Sequence, residues 1–274
     1  MILSQATIKA TKMIDHLGLR DIALDCVATI KSSIDIDSAF EQKTIPEIKS
    51  SFSDYVTWLD FSIESAIAQF IKETRSEDGF LGEEGTHGVG TSGVRWIIDP
   101  IDGTTNFVYG IPFFGISIAV EVKGETVAGV VADLGSNEVF DAVKGHGSRC
   151  NGVTINANTN NSLQSAIVAT GFSYQSDRRK IQGSMLQHIL PRIGDIRRFG
   201  AAAIDLCWLA SGRVDAFYEE GLNLWDYAAG CLIASEAGST IKIKKISEDI
   251  ELLIASNASL GEDFNMLITE SLDR

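Results

Sequence analysis

The chain has 274 residues, 45% hydrophobic and 22% charged, enough apolar material for a sizeable buried core and too much for a disordered chain. Its 23 Lys and Arg stand against 37 Asp and Glu, a net charge of -14, so the surface repels polyphosphate backbones and general nucleic-acid binding is not expected. No apolar run approaches the roughly 18 residues of a membrane span and the start lacks a signal peptide's apolar core, so a cytoplasmic protein without membrane contact is expected.

In chain order, the first 32 residues set Ile8, Met13, Ile14, Leu17, Ile22, Leu24 and Ile30 at mostly helical spacing, with Gly18 as a point of interruption or kink. A second helix is predicted over about Leu59 to Thr74, its apolar face made by Phe61, Ile63, Ile67, Phe70 and Ile71. From Arg95 the texture changes to strands: Trp96 to Ile98, Phe113 to Val122, Thr126 to Val131 and Asn137 to Val143. In the second of these Ile116, Ile118, Val120 and Val122 alternate with Ser117, Ala119 and Glu121, which predicts one face packed against helices.

The second half mixes both periods. Strands are predicted at Ala166 to Thr170 and Val214 to Tyr218, and helices near Ile181 to Leu190, Ala202 to Ala210 and Asp226 to Ala237, the last stopped by Gly238. Without repeats, low-complexity tracts or a Pro-rich linker, strands alternating with helices predict layered α/β packing around a shared core.

Cys26, Cys150, Cys207 and Cys231 are scattered without CxxC spacing, and His16, His87, His146 and His188 are equally dispersed. Disulfides, a zinc site and a local Ser/His/Asp triad therefore lack support, which leaves carboxylates to carry any chemistry.

The densest carboxylate signal is Asp99-Pro100-Ile101-Asp102-Gly103-Thr104-Thr105-Asn106-Phe107, reached directly from a buried strand. Pro100 fixes the backbone between Asp99 and Asp102, and the Ile101 carbonyl can turn inward as a third oxygen, a set suited to a hard cation. Gly103 permits close approach, and amides around Thr104 and Thr105 at a helix start suit a phosphate oxygen. Read alone, the same Asp-x-x-Asp is also a capped turn with solvated aspartates. Likewise Asp60 and Asp226 read singly as helix caps, and Glu83-Glu84 between two glycines as an exposed loop.

Together, Asp54-x-Val56-Thr57-x-x-Asp60, Gly82-Glu83-Glu84, the Asp99 to Phe107 run and Trp225-Asp226 resemble the inositol monophosphatase family, in its order and spacing and across most of the chain. The resemblance implies a layered α-β-α-β-α sandwich formed by residues 1–274 as one catalytic unit, with approximate subdomains 1–150 and 151–274. It implies a lithium-sensitive hydrolase of small phosphomonoesters, commonly a homodimer, acting on inositol 1-phosphate or a related polyol or sugar phosphate.

The resemblance also implies ligands: Glu83, Asp99 and the Ile101 carbonyl for one Mg2+, Asp99, Asp102 and Asp226 for a second, and a weaker third near Glu83 with Asp60 close by through water. Oxygen-only ligands suit Mg2+, with Mn2+ as a substitute. Thr104 and Asp60 are implied to orient and deprotonate the attacking water, assisted by Glu83 and with Thr57 supporting Asp60. Amides of Gly103, Thr104 and Thr105 receive the phosphate, and Ala201, Glu219 and Asp226 meet the rest of the substrate. Ala201 stands where some animal relatives have threonine, which removes a polar contact to inositol.

Two other readings share this metal core. A fructose-1,6-bisphosphatase or NADP(H) phosphatase would use Arg178, Arg179 and Lys180 for a second phosphate, and Arg197 and Arg198 could serve a phosphate or a dimer contact, whereas the plain reading of these residues is a solvated surface. A moonlighting interaction protein is the other, since some bacterial relatives are associated with transcription complexes.

Overall fold

A computed structural model of the chain describes residues 14–33, 38, 46–49 and 55–272. The expected helical positions Ile8 and Met13, and Asp54 of the first motif, lie outside them.

Helix α1 spans His16–Ser33 and α2 Trp58–Thr74, with a two-residue ladder between β1 (Glu47–Ile48) and β2 (Tyr55–Val56). Gly18 does not break α1. It sits in the first turn, where its amide donates to Asp15 Oδ1 at 3.1 Å, so Asp15 caps the helix there.

The large sheet then forms from β3 (Gly79–Gly82), β4 (His87–Gly88), β5 (Val94–Asp102), β6 (Gly115–Val122), β7 (Glu125–Asp133), β8 (Glu138–Val143), β9 (Ser148–Cys150) and β10 (Val153–Ile155), with α3 (Thr104–Tyr109) between β5 and β6. Its order is β10-β9-β8-β7-β6-β5-β3-β4. The second sheet holds β11 (Ile167–Thr170), β12 (Asp195–Arg197), β13 (Ala216–Glu220), β14 (Ser239–Lys245) and β15 (Glu251–Asn257), in the order β12-β11-β13-β15-β14. Helices α4 (Ser176–Ile189), α5 (Ala202–Ala210), α6 (Leu224–Glu236) and α7 (Gly261–Ser271) complete the described elements.

Strand alternation assigns the layers. Trp96, Ile98, Ile116, Ile118, Val120 and Val130 pack with Leu19, Val27, Ile63 and Ile67 of α1 and α2. Their neighbours Ile97, Ala119 and Val131 face the other way, onto Ile204 and Leu206 of α5 and Ala229 and Ile233 of α6. That helical layer also covers Phe217, Leu253 and Ala255 of the second sheet. The sheet's outer positions Ala216 and Ile254 meet Met185 and Ile189 of α4 and Phe264, Leu267 and Ile268 of α7. The result is the expected α-β-α-β-α sandwich, because each strand's period of two feeds two helical layers at once.

The small residues on the inner face have a steric reason. A Cβ on Gly129 would stand 3.0 Å from the Ala229 backbone, so α6 crosses β7 nearly in backbone contact. Phe217 is fully buried in this middle layer; Phe217→Ala is expected to lower stability by about 3 to 5 kcal/mol in urea unfolding through the cavity it leaves.

Several boundaries differ from the sequence reading. Strand β5 runs on through Pro100 to Asp102, and α6 starts two residues early at Leu224 because Asn223 and Asp226 form a capping box. Helix α4 starts at Ser176, whereas Ile181 was expected. Among the described residues no helix is long and apolar enough to cross a membrane.

Candidate active site

The end of β5 is irregular where the chemistry gathers. Asp99 pairs with Ser117 and Asp102 with Gly115, so β5 carries one more residue than β6 between the two rungs. Pro100 has no amide to give the ladder, and the bulge falls on Pro100-Ile101. Both aspartates stay buried, at 2% and 6% exposure, and both line one cavity together with the Ile101 residue they flank.

That cavity, about 660 Å3, is walled by Glu83 from the β3 turn, Asp99, Ile101 and Asp102 from β5, Gly103 and Thr104 at the start of α3, Gly200 and Ala202 at α5, Glu219 and Glu220 from β13, and Trp225 and Asp226 from α6. Three of the four sequence motifs therefore meet on one wall, and the first stands one hydrogen bond behind it, through Asp60 and Thr104. Asp60, Thr105 and Ala201 are not on its wall: Asp60 is fully buried behind Thr104, and the Ala201 side chain is buried against Gly103, where a Gly103 Cβ would come within 3.1 Å of it. Gly103 itself is left-handed, φ 89°, and a Cβ there would also stand 3.0 Å from the Phe113 carbonyl.

Three aspartates share one arrangement, with one carboxylate oxygen tied to a helix N-terminus. Asp60 Oδ2 accepts from the Thr57 amide at 2.8 Å and the Thr57 hydroxyl at 2.6 Å, closing the capping box of α2. Asp226 Oδ2 accepts from the Asn223 amide at 2.6 Å at the head of α6. Helix α5 has Ala201 at its cap and no capping side chain there, so Asp102 reaches across from β5 and accepts from the amides of Ala203 at 2.8 Å and Ile204 at 3.2 Å. For Asp102 and Asp226, helix cap and cavity group are thus the same residue. The remaining Asp60 oxygen, Oδ1, accepts from Thr104 Oγ1 at 3.2 Å, and that hydroxyl lies 2.9 Å from the Ile101 carbonyl.

The carboxylates are poorly compensated. Burial, then the charges of Glu83, Asp102 and Asp226, holds the Asp99 carboxyl well above its ordinary range, and Asp99 Oδ1 is buried with no hydrogen-bond partner among the described residues. Burial pushes Asp102 up to about 7 against the pull of the Ile204 and Ala203 amides, and pushes Asp226 up to about 8 with help from Glu83. Glu219 is raised to about 8 by burial, with Arg198 pulling the other way.

Each of these folded values exceeds the ordinary carboxyl value, so folding favours their protonated forms; their stabilising share is whole below about pH 4 and is lost as pH climbs through about 7 to 8. With a chelator present, the melting midpoint is expected to fall between pH 5 and pH 8, and millimolar Mg2+ to reverse the fall. A midpoint flat across that window contradicts an uncompensated cluster.

An orphaned buried oxygen among carboxylates that raise one another, with only oxygen donors in reach, fits a hard divalent cation. No three His, Cys, Asp or Glu side chains among the described residues are gathered tightly enough to hold an ion unaided. The donor set is instead spread around the cavity, as suits Mg2+, which keeps several waters. The sequence reading missed Lys49, whose ammonium lies 2.9 Å from Glu83 Oε1 and 2.6 Å from Glu84 Oε1. Burial alone would lower that ammonium, but the two glutamates outweigh it and raise it. No motif marks this lysine in the sequence; only the fold brings it to Glu83.

The sequence profile of the inositol monophosphatase family matches residues 19–261. An inositol-1-monophosphatase of Mycobacterium bovis is 42% identical over 209 residues, covering 70% of each chain. A protein named Nus factor SuhB from Pasteurella multocida is 42% identical over 193 residues, covering 70% of this chain and 72% of that one. The crystal structure of the extragenic suppressor protein suhB from Bartonella henselae superposes with a TM-score of 0.85 at 31% identity, over 92% of this chain and 99% of that one.

Proposed function

This chain belongs to the inositol monophosphatase family, and we propose that it hydrolyses a small phosphomonoester, inositol 1-phosphate or a related polyol or sugar phosphate, with Mg2+ as cofactor. Membership makes it a phosphoric monoester hydrolase. The observation that carries the reading is the meeting of Glu83, Asp99, Asp102 and Asp226 on one cavity beside the Thr104–Asp60 hydrogen bond.

Glu83, Asp99 and the Ile101 carbonyl would hold one Mg2+, and Asp99, Asp102 and Asp226 a second. A third, weaker ion belongs near Glu83, and Mn2+ is a chemical substitute throughout. When bound, such ions neutralise phosphate oxygens and acidify water. The protein's own part is positioning. Asp60, raised above its ordinary value by burial and held by Thr57, accepts the Thr104 proton, which leaves the Thr104 oxygen free to take a proton from an attacking water. The Gly103 turn sets the amides at the start of α3 toward the phosphate. Glu219, half-buried and on the cavity wall, accepts from hydroxyls of the leaving alcohol.

The whole chain acts as one catalytic unit in this proposal, as a homodimer in the cytoplasm. Phosphate release from inositol 1-phosphate, fructose 1,6-bisphosphate, NADP, adenosine 3',5'-bisphosphate and histidinol phosphate, with and without Mg2+, tests the substrate. Preference for the first supports the reading. Inactivity on all five contradicts it and moves weight to a partner role of the kind named for the Pasteurella relative.

A further inference from the structure

Helix α2 carries a second buried carboxylate, outside the cavity and outside every sequence motif. Glu64 stands one helical turn after Asp60 on the buried face of α2 and is 2% exposed. Both of its oxygens are taken by one short segment: Oε2 accepts from the Glu84 amide at 2.8 Å and Oε1 from the Thr86 amide at 2.7 Å. No cation pairs with it among the described residues. A buried carboxylate without a counter-ion is costly, and two neutral amides offset only part of that cost.

The segment it holds is the turn between β3 and β4, which carries Glu83. The Gly82 amide closes that turn on the Thr86 carbonyl at 2.8 Å, and the Glu83 amide donates to the Ile98 carbonyl of β5 at 3.1 Å, next to Asp99. Glu83 is therefore fixed from two sides, by β5 through its own amide and by α2 through the amide of the residue that follows it. Gly82 leaves room for this: a Cβ there would stand 2.5 Å from Glu64 Oε2, so the carboxylate rests directly on the glycine. Asp60, one turn earlier on the same helix, holds Thr104. Helix α2 thus braces two parts of the cavity wall at once, the Glu83 turn and the start of α3.

We infer that Glu64 is a positioning residue for the divalent cation: its carboxylate holds the turn so that Glu83 reaches the cavity alongside Asp99. This rests on the metal-dependent phosphatase reading. A turn that needed only closing already has the Gly82–Thr86 pair, so the buried charge is the part that closure does not explain. Charge explains it, because a carboxylate holds backbone amides by shorter and stronger bonds than a neutral side chain does. Groups that stand behind a metal ligand in this way set metal affinity by about 10- to 100-fold.

The test is Mn2+ binding to chelator-treated protein, read from the electron paramagnetic resonance of the free ion, for the wild type, Glu64→Gln, Gly82→Ala and the core variant Phe217→Leu. Glutamine keeps the size of the side chain but accepts from only one of the two amides and opposes the other with its NH2. Gly82→Ala keeps the charge and pushes the carboxylate off the turn; Gly82 lies in β3 without a left-handed φ, so alanine fits the backbone there. Glu64→Gln and Gly82→Ala are each expected to weaken Mn2+ binding by roughly 10-fold or more. The Mg2+ concentration for half-maximal phosphate release rises by the same factor, while kcat at saturating Mg2+ stays within a few-fold of wild type. Phe217→Leu lowers the melting temperature and leaves Mn2+ affinity unchanged, which separates lost positioning from lost stability. A Glu64→Gln protein that melts lower yet binds Mn2+ as the wild type does makes Glu64 a turn cap only and overturns the inference, with the phosphatase reading untouched. If Glu64→Gln does not fold, unchanged Mn2+ affinity in Gly82→Ala overturns it by the same criterion. A wild type that binds no Mn2+ overturns the metal reading itself, and the inference with it.

Discussion

Asp102→Asn is expected to reduce phosphate release by roughly three orders of magnitude while leaving the fold intact. Asp102 does two jobs with two oxygens: Oδ2 takes the Ala203 and Ile204 amides at the head of α5, and the rest of the carboxyl faces the cavity. An asparagine keeps an oxygen for the amides, so α5 stays capped. What it loses is the charge and the second oxygen. Electrostatic stabilisation of a phosphoryl transition state worth about 4 kcal/mol corresponds to about a thousandfold in rate. In the presence of chelator the variant melts at or above the wild-type temperature, because one member of a repelling buried set has been neutralised. Its Mg2+ requirement rises. Wild-type turnover in Asp102→Asn removes this residue from the metal set, and loss of helical circular dichroism shows that capping was its main role.

The second large effect is expected at the Thr104–Asp60 pair. Asp60 is fully buried, and three donors, the Thr57 amide, the Thr57 hydroxyl and the Thr104 hydroxyl, point at its two oxygens. In Asp60→Asn one of the two acceptor oxygens is replaced by an NH2 donor. If that group faces Thr104, the hydroxyl turns toward the Ile101 carbonyl, 2.9 Å away, and no longer passes its proton on. Asp60→Asn and Thr104→Val are each expected to lower kcat by about 10^2- to 10^4-fold, the usual worth of a positioned acid or base, with smaller changes in KM. The double variant falls little further than either single one, as for groups that act as a unit. Thr104→Ser keeps the hydroxyl and most of the rate. Additive losses, or a Thr104→Val enzyme with normal kcat, contradict the pairing.

Much of the fold was legible because one signal repeats. The alternation of Ile116, Ile118 and Val120 with Ser117 and Ala119 was visible at once, and its small face proved to be where α6 crosses. Helix α7 was overlooked although Phe264, Leu267, Ile268 and Ser271 hold a helical period on its buried face. Strand β14 gave a weak signal for a physical reason: most of it is exposed at the edge of its sheet, and lysines alternate with Ile241 and Ile243. Strand β3 is four residues with two glycines, a composition that predicts a turn until the parallel register with β5 is known.

In the candidate site, Asp60 and Asp226 were read both as helix caps and as functional carboxylates. The geometry holds the caps, and the same residues stand at the cavity or one hydrogen bond behind it. Local sequence reports capping because its partners are three residues away. It cannot report that Asp102 caps a helix 101 positions later, or that Lys49 finds Glu83. Arg197 and Arg198 read alike in the sequence, as surface or as a phosphate or dimer contact; only the fold sets Arg198 against Gly200 on the cavity wall.

The most direct measurement is the rate of phosphate release from inositol 1-phosphate by chelator-treated protein as Mg2+ is restored from zero to several millimolar. A protein whose cavity carboxylates hold catalytic cations shows no release at zero Mg2+ and a saturable rise as Mg2+ is added. Release that persists undiminished in excess chelator contradicts the assignment of Glu83, Asp99, Asp102 and Asp226 to metal.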